Sequence, residues 1–95
     1  MANINVNISE VRKQARNLKD ASSKLLSGTV KTIEDCNGNM ASVWSGESSK
    51  SFMKYTDELI SALKSNADDL SKISVFLNNA CASLEKADRE AKAKI

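Results

Sequence analysis

The chain has 95 residues, of which 41% are hydrophobic, only 4% aromatic and 27% charged, with a net charge of +2. This length allows one domain with an aliphatic, alanine-rich core, and the lack of proline with only three glycines favours long amphipathic helices over a sheet or a disordered tail. Acids and bases interleave with no basic stripe set among aromatics, which excludes a nucleic-acid-binding pattern, and no apolar run approaches the ~18 residues of a membrane span.

The opening MANINVNISEVRKQ lacks the basic and apolar regions of a cleaved signal peptide. Any export would use a pathway that does not read one. Asn7 and Glu10 form a capping box with Asn in place of Ser or Thr, so a helix is predicted from Ile8. Ile8, Val11, Ala15, Leu18, Ser22, Leu25, Thr29, Ile33, Cys36 and Met40 then recur in steps of three and four, as one helix face requires. Asn37-Gly38-Asn39 looks like a turn, but Met40, Val43 and Trp44 stay in phase. The helix is therefore predicted over about 8–43, bent or frayed near Gly38.

Trp44-Ser45-Gly46 breaks the pattern, and a turn is predicted over 44–47. Glycine suits the left-handed conformation that ends a helix, Ser45 or Ser48 can cap the next one, and Glu47 suits its positive end. The second helix is predicted over about 48–90, with a seam of Phe52, Tyr55, Leu59, Ala62, Asn66, Leu70, Ile73, Leu77, Ala80, Leu84, Ala87 and Ala91 and a phase slip between Asn66 and Leu70. Lys54, Glu58, Ser61, Lys64, Asp68 and Lys72 lie opposite as solvent residues, and the Ala-Lys repeats at the C-terminus suit a frayed tail.

So short a connection makes the helices antiparallel neighbours: an all-α helix-turn-helix hairpin with the turn at its tip. Leu18 is then expected opposite Ile73, Leu25 opposite Asn66 and Cys36 opposite Tyr55. Trp44 is expected to fold over Phe52 and close the end of the seam. Met53, Ile60, Val75 and Phe76 are left over, and a lone hairpin buries little, so they are expected to pair two hairpins into a four-helix bundle. Asn66 either fixes register in the seam or is solvated at its edge. Cys36 and Cys81 stand about 40 Å apart in one hairpin and are read either as two small buried hydrophobes or as an intermolecular disulfide of an antiparallel dimer.

No histidine, glycine-rich phosphate loop or metal-ligand spacing is present, and a thin hairpin offers no sizeable pocket. No catalytic activity, cofactor or metal is expected. The polar faces mix acids with lysines, which disfavours a membrane-surface role.

The central Trp44-Ser45-Gly46, the lead-in INVNISEVRKQARNL with its Val11-Arg12 pair, and Phe52 after the glycine resemble the WXG family of about-100-residue type VII secretion substrates. The resemblance covers nearly the whole chain. It implies an antiparallel dimer with itself or with a related WXG- or LXG-type helical protein. It also implies export by a membrane ATPase from the cytoplasm of a Gram-positive or mycobacterial-type producer, as a substrate or as an adaptor for a larger effector. The chain departs from the family's usual export signals: the only tyrosine, Tyr55, is followed four residues later by Leu59 rather than an acid, and there is no histidine. The C-terminal LEKADREAKAKI is then the place for a signal by family position, or a partner supplies it.

Overall fold

The structure is a computed structural model and describes residues 6–93. The Ile4 end of the lead-in and the tail beyond Ala93 lie outside the described residues. Two helical arms form an antiparallel rod of 74 × 19 × 16 Å with no strand among the described residues. The first arm consists of α1 (Ile8–Lys24), a π-helical turn (Leu25–Val30) and α2 (Lys31–Ala41); the second is the single helix α3 (Glu47–Ala93).

Asn7 begins α1 by accepting from the Glu10 amide at 3.0 Å, which satisfies one of the amides left free at a helix start. The reciprocal half of the capping box is not made. Glu10 instead accepts from Gln14, one turn ahead, at 2.9 Å. The first arm runs through Asn37-Gly38-Asn39 as helix and ends at Ala41, where the Trp44 amide closes on the Met40 carbonyl at 2.9 Å.

The inner face of α3 is a strict heptad. Ile60, Ala67, Ser74 and Cys81 are buried at seven-residue intervals, and Leu63, Leu70, Leu77 and Leu84 are half-buried between them. The expected seam was therefore one residue out of phase at Phe52, Tyr55, Leu59, Ala62, Asn66, Ile73 and Ala80 but in phase at Leu70, Leu77 and Leu84, and the inferred slip is absent. Tyr55, Leu59, Asn66 and Ile73 are exposed, Phe52 and Leu77 are half-buried, and Ile60 sits in the seam rather than on a dimer face. Small residues explain the difference. Ser22 donates to the Ala67 carbonyl at 2.6 Å and Ser74 to the Ala15 carbonyl at 2.7 Å, contacts that need closely approaching backbones. Ala15, Ala67, Ser22 and Ser74 are buried between the arms, so small side chains and hydroxyls serve as core groups.

The same contacts set the register. Lys19 donates to Ser71 and Ser22 reaches Ala67, so neither Leu18–Ile73 nor Leu25–Asn66 is an opposed pair. Nearer the tip Asn37 meets Thr56, at the level expected for Cys36 and Tyr55 but one residue around each helix. On the first arm the π turn makes that change, whereas Thr56 keeps the unbroken heptad of α3. The Lys31 amide donates to the Leu26 carbonyl, five residues back, and the inner face steps from Leu25 to Val30. Val30 is buried where an unbroken α-helix would seat Thr29.

Candidate functional site: the turn and the open apolar flank

Gly46 has φ +110°, which side-chain-bearing residues rarely adopt, and so lets the chain reverse directly into α3. The Lys50 amide closes on its carbonyl at 3.2 Å, and the Ser49 hydroxyl donates to the same oxygen at 2.8 Å. Ser49 is thus the turn's stabilising serine; the capping bonds expected of Ser45 or Ser48 are not formed. Trp44, three residues past the end of α2, is half-buried, with its ring 5.4 Å from Phe52 and tilted by 43°, a favourable aromatic arrangement. Beside it, Trp44, Gly46 and Met53 line an open groove of about 760 Å³, rimmed by Lys50, Lys54, Asp57 and Glu58. Met53 therefore belongs to the tip.

The two flanks of the rod differ in chemistry. On one, Arg12 donates to Glu85 and to Asn78, and Lys19 to Ser71, so polar side chains bridge the arms. The hydrogen bond and charge of Glu85 raise the Arg12 pKa above its ordinary value. Val75 shares this polar side, with Asp68 and Ser61 at heptad spacing before it, and is not part of an apolar face.

The opposite flank of α3 is apolar. It carries Phe52, Tyr55, Leu59, Ala62, Ile73, Phe76 and Ala80, interrupted by Asn66 and Asp69. Tyr55 is 67% and Phe76 69% exposed, and Leu59 and Ile73 are open as well. The first arm adds Cys36 and exposed Val43, each one residue before the inward-facing Asn37 and Trp44. Large apolar groups aligned over this length signal an interaction surface rather than scattered exposure. Phe52, Tyr55, Leu59, Asn66 and Ile73, assigned from sequence to the seam, thus form the outer face, whereas Leu18, Leu25 and Leu77 stay on the inner one, and of the four residues assigned to the interface only Phe76 lies on the outer face. Heptad counting over small and polar residues, rather than apolar ones alone, would have found it.

Cys81 is 1% exposed, with its sulfur 4.0 Å from the Ile8 carbonyl, whereas Cys36 is exposed. A disulfide between Cys36 and Cys81 of a second copy is incompatible with this burial, because Cys81 faces its own chain's first arm. Among the described residues no group of three or more His, Cys, Asp or Glu is placed to hold a metal, and no helix is long and apolar enough to cross a membrane.

A family model described as "Proteins of 100 residues with WXG" matches residues 3–89. No curated protein and no solved structure matches the chain.

Proposed function

The chain belongs to the WXG100 family, and from that premise we propose that it is a non-catalytic export substrate or co-substrate of a type VII secretion system that acts as an antiparallel homodimer. The family is associated with type VII secretion substrates, its members are small helical proteins not known as enzymes, and they typically form helical dimers. The observation that carries the pairing is the open apolar flank and its arrangement about Asn66. Leu59 and Ile73 stand seven residues to either side of Asn66, Phe52 and Ala80 fourteen, and Tyr55 and Phe76 eleven and ten. A two-fold interface requires that residue i meet j while j meets i, and this stripe meets that condition for a second copy run antiparallel. Tyr55 would face Phe76 of the second copy and Leu59 its Ile73, over a stripe of about 42 Å. Asn66 would meet its own counterpart, where a carboxamide both donates and accepts and a polar group among apolar ones fixes register.

Trp44, Ser45 and Gly46 are proposed as the turn half of the export determinant, at an end of the rod that this pairing leaves open. The secretion ATPase is the proposed machine, and release follows without a cleaved signal peptide. Deleting that ATPase in the producing host should abolish the protein's appearance in the medium while intracellular levels persist; undiminished release would contradict the reading. One observation favours a second reading, an adaptor paired with a larger effector. The chain has neither the tyrosine–acid pair nor histidines of the usual signals, so a partner chain would supply one. Co-purification from the host with a stoichiometric helical partner, in place of a homodimer, would select it.

A further inference from the structure

We propose that the tip-proximal part of the first arm exchanges between two registers against α3. One is observed, with the π turn seating Val30 and Asn37 in the seam. In the other, residues 25–30 wind as ordinary α-helix and seat Thr29 and Cys36 instead. The inner face of α1, continued without interruption, passes through Thr29, Ile33, Cys36 and Met40, so the sequence supplies a second face in full. Ile33 and Met40 are half-buried in the observed register and serve both.

Within the helical part of the arm, which ends at Ala41, each register has one good seat and one poor one. The observed register buries Val30 but draws in the Asn37 carboxamide, whose Oδ1 is buried with no hydrogen-bond donor. Thr56 cannot satisfy it. Its hydroxyl proton goes to the Met53 carbonyl at 3.0 Å, and its oxygen accepts from Asn37 Nδ2 at 2.8 Å, so the amide's other end stays orphaned. The second register returns Asn37 to water and buries the small apolar Cys36, but exchanges Val30 for Thr29. On its inner side the π turn is held by buried Val30 and half-buried Leu25, while its outer side is free: Gly28 has no atom within 4 Å of where a side chain would begin, and Leu26 is exposed. A π turn that can relax is thereby placed between two competing seats.

The exchange moves Cys36 on and off the apolar flank that carries Tyr55 and Leu59. A partner seated on that flank would select the observed register, so pairing and register are coupled. That coupling rests on the pairing proposed above; the exchange itself is a property of one hairpin.

Thiol labelling tests it in the full chain, at a concentration where light scattering finds single hairpins, with N-ethylmaleimide and site-by-site mass spectrometry. Cys81, buried against Ile8 at the open end of the rod, reports opening of the seam at that end. Thr29 is exposed, so Thr29→Val leaves the observed register untouched while giving the second an apolar seat. Cys36 labelling is expected to slow by about threefold or more in Thr29→Val with no rise at Cys81, and to recover when Asn37→Leu is added. Labelling of Cys36 in Thr29→Val at the wild-type rate, or slowing that Asn37→Leu does not reverse, would overturn the exchange. Neither result depends on whether the hairpins pair.

Discussion

Ser22 and Ser74 show how this core is made from residues that composition counts as polar. Each hydroxyl ends on a backbone carbonyl of the opposite arm, and each side chain is small enough to let the arms close. Ser74→Ala keeps the size and loses the bond, so it should cost about 1 kcal/mol. Ser74→Leu keeps neither and must separate the arms, at about 1–3 kcal/mol or more. Urea unfolding of the two variants checks both the order and the sizes. By contrast Arg12 and Glu85 are each more than a third exposed, so their pair contributes little. Because Glu85 raises the folded-state pKa of an already basic group, the contribution of Arg12 is present throughout the neutral range and is lost in strong alkali. The small-residue seam was poorly legible because hydropathy ranks Phe52, Tyr55, Leu59 and Ile73 above Ser49, Thr56 and Ser74 as core. Hydropathy does not register that a close approach of two backbones excludes large side chains.

At the scale of elements, the start of α1 and the turn followed from local chemistry. Asn7 caps because its side chain reaches the Glu10 amide, and Gly46 reverses the chain because its φ of +110° suits glycine. Gly38 and Gly46 therefore do different things. Gly38 lies inside a helix with open space around it, so Gly38→Ala should stabilise by about 0.5–1 kcal/mol through helix propensity. Gly46→Ala has the same open space but a strained backbone, and should destabilise by about 1–3 kcal/mol. Thermal melts of the pair would show shifts of opposite sign; a loss of stability from both would mean that helix continuity through Asn37-Gly38-Asn39 is misassigned. The π turn could not be foreseen from spacing. Thr29 fits an unbroken periodicity, and the gain from burying Val30 appears only once both arms are present.

For the whole molecule, the antiparallel hairpin was legible because two long periodic stretches flank one three-residue break, and no other arrangement buries both faces. The outer face was not, since a one-residue error in phase exchanges seam for surface. Corrected, the same apolar residues lie on one flank of a rod 74 Å long, arranged nearly symmetrically about Asn66. Homodimerisation about that residue is the central claim, and oxidative crosslinking of Asn66→Cys in a Cys36→Ser background tests it most directly. The sulfurs of two copies would meet at the two-fold axis, so a covalent species of about twice 10.3 kDa should form readily, while Glu58→Cys on the polar side remains single. No crosslink at position 66, or equal crosslinking at position 58, would contradict the account.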